Sequence, residues 1–249
     1  MLSLNRFKEN SYSANGEDGI LRYLVSKIPT IPPLHVVEFG AADGIESSNT
    51  LSFIETGAKA ILIESDKDKF RLLAKNMQKY PEVSCVKSFV ATAQDQLGDT
   101  LDNILASFNW PKDFDVLSID IDSDDALIFA SIKEFFPKIV VIEINSSYLP
   151  GVRFFSTSKI SGNSFTTVLE IFQNRNYTLV AHTGNLIFVR NEFFRLTGLD
   201  EMVLTYPEIL FDTSFIQVDR EIPETISRWL NKASSIYLRL KAMVNLKNE

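Results

Sequence analysis

The residues best suited to chemistry are polar groups that close apolar runs. In 114–122 the run Val116, Leu117, Ile119 gives way to Asp120 and Asp122, which strand alternation puts on one side. Two carboxylates on one face of a strand tip repel each other unless a cation, a donor or a substrate separates them. In 138–145 a strongly apolar run ends in Glu143 and Asn145. Such an oxygen-rich cluster can hold a Mg²⁺ that orients and acidifies a hydroxyl, with Asp120, Asp122 and Glu143 as ligands, or can bind sugar hydroxyls directly. The sequence does not choose between the two. His182 lies in His182-Thr183-Gly184-Asn185, between two strand-like runs. If the first of those runs is parallel to its neighbours, His182 faces the same rim and is a candidate base for a hydroxyl proton; it equally suits a turn residue bonded to backbone.

A second constellation sits in 34–49. The run Leu34, Val36, Val37, Phe39 ends in Glu38-x-Gly40-x-x-x-Gly44, and Ser47-Ser48 opens a helical pattern. Strand, tight glycine turn and helix in that order make a nucleotide-binding turn, because glycine permits sharp backbone and close approach. A dinucleotide fingerprint would put glycine at Ala42 and pyrophosphate at the helix start, where Glu38 and Asp43 are unfavourable company. Those acids better suit a ligand with positive charge and free hydroxyls, as in the sulfonium, amino group and ribose of S-adenosylmethionine. Glu64 closes the next apolar run, 60–64, about 20 residues beyond the turn, where a carboxylate can accept from both ribose hydroxyls. Glu38, Gly40, Asp43, Gly44, Asn49, Glu64 and Ser65 are the expected cofactor contacts.

The elements that must position these groups alternate. Apolar strands are expected at 34–39, 60–64, 83–90, 114–122, 138–145, 177–181 and 186–190, and amphipathic helices lie between them at 49–55, 67–80, 97–108 and 165–176. That is an α/β fold with a mostly parallel sheet, in which ligand sites gather at the carboxyl ends of the strands. Asp120, Asp122, Glu143 and Asn145 then share a rim with Gly40 and Glu64, while His35, at the start of its strand, belongs to the opposite end. The loop 146–163 is longer than a usual connection and carries Tyr148, Arg153 and Lys159. Arg153 and Lys159 suit an anionic acceptor such as a phosphate or uronate, or simple solvation. Glu17 and Asp18 open a lead-in helix, where the macrodipole favours acids, and are secondary candidates for acceptor contact.

Composition narrows the rest. The chain has 249 residues, 25 Lys and Arg against 32 Asp and Glu, and a net charge of -7, which argues against a nucleic-acid groove. One domain is expected over 1–220, with the lead-in at 11–30 and the core at 34–190. The stripe Ile226, Leu230, Ala233, Tyr237, Leu240, Val244 makes 221–249 an amphipathic helix, suited to pairing two copies as a homodimer or to docking on its own domain. Cys85 is the single cysteine, so no intramolecular disulfide can form. No apolar run reaches the roughly 20 residues of a membrane span, and a cytoplasmic location is expected.

Taken together, Tyr12-Ser13-x-x-Gly16-Glu17-Asp18-Gly19, Val37-Glu38-Phe39-Gly40-Ala41-x-Asp43-Gly44-x-x-x-Ser48-Asn49-Thr50 and Leu62-Ile63-Glu64 resemble the FkbM-like family of S-adenosylmethionine-dependent methyltransferases. Ser118-Ile119-Asp120-Ile121-Asp122, Glu143-x-Asn145 and His182-Thr183-Gly184-Asn185 extend the likeness. The resemblance implies a seven-stranded Rossmann-like methyltransferase sheet and O-methylation of a sugar, a polysaccharide precursor or a related small metabolite. It would give catalysis to Asp120, Asp122 and His182, and the acceptor to Glu17, Asp18, Glu143, Asn145, Tyr148 and Arg153. Ala14, Ser123 and Ala126 depart from the family pattern on the acceptor side. A non-catalytic partner subunit with the same fold and a metal-dependent nucleotide-sugar-modifying enzyme are the alternatives.

Overall fold

The computed structural model describes residues 1, 3–93, 98–121, 125–157 and 159–216. Seven strands form one sheet: β1 (His35–Phe39), β2 (Lys59–Glu64), β3 (Val83–Lys87), β4 (Val116–Ile119), β5 (Ile139–Glu143), β6 (Tyr177–His182) and β7 (Asn185–Arg190). Their order is β3-β2-β1-β4-β5-β7-β6, and β7 alone runs antiparallel to both its neighbours. This is the α/β, Rossmann-like architecture with a seven-stranded, mostly parallel sheet that was expected from the sequence.

The central strands are apolar along most of their length because both faces are covered: β1, β2, β4 and β5 bury nearly every side chain. Helices α1 (Glu17–Lys27), α2 (Leu51–Ile54), α3 (Lys67–Met77), α4 (Leu101–Ser107), α5 (Asp125–Ser131), α6 (Phe165–Asn174) and α7 (Met202–Thr205) connect or flank the strands. Several start at the residue whose side chain satisfies the first free N–H groups: Asp66 accepts from Asp68 and Lys69, Thr100 from Asn103, and Ser164 from Thr167. The chain moves from β1 outward through β2 and β3, then returns to lay β4 on the other side of β1. Right-handed crossovers in opposite directions put α3 and α5 on opposite faces, and α5 packs with α6 through stacked Phe129 and Phe172.

Two expected elements differ. The third strand stops at Lys87 rather than 90, and Phe89–Val90 pairs instead with Gly98–Asp99 in a separate two-stranded ribbon. A side chain at Gly98 would sit 2.3 Å from the Phe89 carbonyl, so the ribbon depends on that glycine. The entry into helix at 97 is likewise later, at Leu101. The helix expected over 221–249 lies outside the described residues, as does Asp122. Among the described residues no helix is long and apolar enough to cross a membrane.

Candidate functional site at the carboxyl rim

Strand register assembles the rim. Phe39 pairs with Ile63 and Ile119, Ile119 with Ile142, and Ile142 with Leu186, itself opposite His182. The residues that follow, Gly40, Glu64, Asp120 and Glu143, therefore stand along one edge. Because β7 is reversed, its first residue Asn185 joins them opposite Glu143, and because β6 is parallel to β5, its last residue His182 does too. His35 lies at the far end, beside a buried pair in which Lys138 Nζ meets Asp115 Oδ1 at 2.8 Å.

The glycine turn closes on this edge. Gly40 has φ +77°, and a Cβ there would lie 1.6 Å from the Asp120 carbonyl oxygen. Its glycine lets the ends of β1 and β4 pass closely, at the point where strand order reverses. Gly44 also has positive φ, and a Cβ there would meet Leu73 and Met77 of α3, so it seats the turn on that helix. Ala42 holds a left-handed conformation (φ +46°), and its N–H donates to Glu64 Oε2 at 2.9 Å. Asp43 Oδ1 accepts from the N–H groups of Ile45 and Glu46, and its carbonyl accepts from Asn76 Nδ2, which shapes the turn.

Beside the turn lies a cleft of about 200 Å³, walled by Gly40, Glu64, Ser65, Phe89 and Asp120 among others. Glu64 Oε1 accepts from the Asp66 N–H at 2.7 Å, so each of its oxygens has one backbone donor. A carboxylate has about four acceptor positions, and two are left for a ligand in the cleft. Phe89, 48% exposed, presents an aromatic wall. The signal for it was obscured by the reading of 83–90 as one strand.

Glu38 is buried at the centre of a network rather than on the cleft wall. Its carboxylate accepts from Ser48 Oγ (2.8 Å), Thr50 Oγ1 (2.6 Å) and the Asn49 N–H (2.9 Å). Burial pushes its carboxyl above the ordinary range in spite of these donors. Asn49 Nδ2 reaches Ser118 Oγ at 3.0 Å, so the network ties β1, the start of α2 and β4 together.

Around β5 and the β6–β7 turn is a second cavity, of about 450 Å³, lined by Glu143, Asn145, Ser146, Asn15, Asn185 and Phe215 among others. Asn145 Nδ2 donates to the Ser161 carbonyl and its Oδ1 accepts from the Ser147 N–H, pinning the long loop. Glu17 is fully buried, and its carboxylate accepts from the Asn15 N–H, Thr183 Oγ1 and Asn185 Nδ2. It thereby draws the lead-in loop onto the β6–β7 turn. Asp18 is also fully buried, and Oδ2 accepts from the N–H groups of Ser11, Tyr12 and Ser13. Burial works to raise its carboxyl pKa, but those donors and the Ser13 hydroxyl together hold it below the ordinary value.

His182 is 1% exposed, packed between Phe165, Phe211 and Phe215. Its Nδ1 accepts from the Asp212 N–H at 2.8 Å, and Nε2 lies 2.9 Å from Ser146 Oγ. With Nδ1 an acceptor, the neutral ring carries its proton on Nε2 and donates to Ser146, so in this tautomer it has no free lone pair with which to take one from a substrate. Arg153 is committed to Glu170 of α6 through two nitrogens, and Tyr148 stacks on Phe154. Among the described residues no group of three His, Cys, Asp or Glu side chains is placed to hold a metal ion; Asp122, one of the three expected Mg²⁺ ligands, lies outside them. Asn15, Ser146, Asn185 and Phe215 were not anticipated as lining. Asn185 alone was signalled, by its place in the turn after His182.

No family model matches the chain, and no curated protein matches its sequence. Among solved structures it is similar to the N-terminal domain of EvdMO1 in the presence of SAH and D-fucose, at 12% identity over 70% of this chain and 82% of that one, with a TM-score of 0.45. It is also similar to a TehB-like SAM-dependent methyltransferase from Corynebacterium glutamicum, at 14% identity over 69% and 86%, TM-score 0.40. A third likeness is the CMeT domain of the citrinin polyketide synthase, at 14% over 70% and 51%, TM-score 0.46. At such identities each is a likeness of fold.

Proposed function

We propose that this protein is an S-adenosylmethionine-dependent O-methyltransferase acting on a hydroxyl of a sugar or related small metabolite. The observation that supports it most is the pairing, along one strand edge, of the Gly40–Glu64 cleft with the larger polar cavity below Glu143. Glu64 offers two acceptor positions to ribose hydroxyls, Ser65 and Phe89 border the same cleft, and Asp120 supplies negative charge where a sulfonium would be favoured. When bound, the cofactor supplies an electrophilic methyl group.

The chain's own contribution is chiefly placement. Asp120 and Glu143 follow directly on a paired rung of adjacent strands, so their Cα atoms lie ~5 Å apart. Asp120 on the cleft wall is then the group we assign to receive the hydroxyl proton. Glu143, Asn185 and Asn15 orient the acceptor. His182 is a positioning residue, holding Ser146 while Ser146 Oγ donates to the Gly184 carbonyl. Holding nucleophile and methyl at near-attack distance provides more of the rate than deprotonation does.

Calorimetric titration with S-adenosylmethionine and S-adenosylhomocysteine tests the reading. Micromolar binding that weakens at least tenfold in Glu64→Gln is expected. Failure of the folded protein to bind either compound would overturn it.

A further inference from the structure

We infer that the loop 146–163 docks on an anionic lipid surface through Val152, Phe155 and Ile160 with Lys159 beside them. The charge pattern is the first observation. Residues 144–169 contain neither Asp nor Glu, the longest such stretch in a chain with 32 acidic residues, yet they carry Arg153 and Lys159. Glu170 pairs with Arg153. Lys159 is exposed and has no acidic partner among the described residues, so it is the cation the loop offers to a surface.

The backbone is the second. An irregular segment enters an apolar interface only at high cost if its N–H and C=O groups lose water without finding partners. Here the N–H of Val152 donates to the Leu149 carbonyl, that of Phe154 to Ser164 Oγ and that of Ser156 to Asn163 Oδ1. The Thr157 N–H donates to the Ile160 carbonyl, and the Ile160 N–H to Thr157 Oγ1. What the loop displays is side chain. Phe154 stacks on Tyr148 at 4.5 Å, while its neighbour Phe155 is 49% exposed, Ile160 45% and Val152 39%. Apolar groups over a paired backbone, beside a lysine and away from acids, have the composition of an interfacial anchor. A protein partner would also read hydrogen-bonding groups, and this loop uses most of its own on itself.

The position is the third. Asn145 holds the loop's return through the carbonyls of Ser161 and Asn163, and Ser161 and Gly162 line the larger cavity. Docking therefore brings that cavity to the lipid surface. Three partly exposed apolar side chains and one cation make a weak, reversible anchor, with half-binding at about 1 mM lipid.

Flotation of the full chain with vesicles tests this, using phosphatidylcholine alone and phosphatidylcholine mixed with phosphatidylglycerol. Binding to the mixed vesicles is expected, about tenfold weaker in Phe155→Ser/Ile160→Ser. Lys159→Gln should lower it about fivefold on mixed vesicles and leave binding to phosphatidylcholine unchanged. Leu127→Ser, which removes an exposed apolar side chain from α5, should have no effect. In Phe155→Trp, emission in excess of the wild type should shift to the blue with mixed vesicles and be quenched by brominated lipid.

No flotation with mixed vesicles, an unshifted Phe155→Trp spectrum, or an equal loss in Leu127→Ser would each overturn the inference. So would self-association without lipid that Phe155→Ser/Ile160→Ser abolishes, which would give the face to a second copy. Flotation needs no cofactor, so its failure leaves the methyltransferase reading to its own calorimetric test.

Discussion

Replacing Gly40 by alanine should damage the protein more than the same change at Gly44, although both glycines belong to one motif and both have φ +77°. The left-handed conformation costs an L-residue ~1–2 kcal/mol at either site. At Gly40 the new methyl would also lie 1.6 Å from the Asp120 carbonyl oxygen. Backbone must retreat there, and the Asp120 N–H to Phe39 carbonyl bond of 3.2 Å is the first to stretch, adding ~0.5–1.5 kcal/mol. The total for Gly40→Ala is ~1.5–3.5 kcal/mol. At Gly44 the obstacles are the ends of Leu73 and Met77, 2.6 and 2.8 Å away. Those are flexible side chains, so Gly44→Ala should stay near ~1–2 kcal/mol. Urea denaturation of the three proteins gives the two differences directly. Because the cleft wall is built from Gly40 and Asp120, only the first change should also weaken S-adenosylhomocysteine binding. A Gly40→Ala variant no less stable than Gly44→Ala would refute the assignment of Gly40 to close approach of β1 and β4.

Three other perturbations have worked signs. Burial holds the Glu38 carboxyl above its ordinary value of 4.5, so the folded state takes up its proton more readily and loses stability as pH rises through the raised value; Glu38→Gln should flatten that part of a melting-temperature profile against pH. Asp18 behaves oppositely: its folded pKa lies below 3.8, so its contribution is full above that value and is lost as pH falls through the folded one. Asp18→Asn should remove this acid-side slope in the same profile and cost ~1.5–3 kcal/mol at neutral pH. Lys138→Met leaves the Asp115 carboxylate buried without its cation, for ~3–5 kcal/mol of stability. Its distance from the rim predicts unchanged S-adenosylhomocysteine affinity by calorimetry.

The sheet was legible because its strands are continuous apolar runs, and the ending of each run in Glu64, Asp120, Glu143 or His182 fixed which groups would share an edge. What each polar group touches was not legible. Glu38, Glu17 and Asp18 look in sequence like ligand-facing acids, yet their partners come from segments 10 to 168 residues away or from local backbone, which no spacing rule encodes. Gly40 and Gly44 were read alike, and only tertiary packing separates a strand crossing from a helix seat. Phe215 lines the cavity from a short helical turn near Asp212 that has no apolar period to announce it.

The tie from Glu17 to Thr183 and Asn185 also bears on how the chain matures. It joins groups 166 and 168 residues apart, so a wall of the larger cavity stays unfinished until the last strand pair exists. At ribosomal speeds of ~5–20 residues per second, the lead-in loop waits roughly 10–30 s for its partners. In that interval two buried-type acids, Glu17 and Asp18, are solvated and the first half of the sheet lacks its cover. The domain should therefore acquire a complete rim late, as one concerted event once the last strand pair has been made, rather than in the order in which its motifs are written.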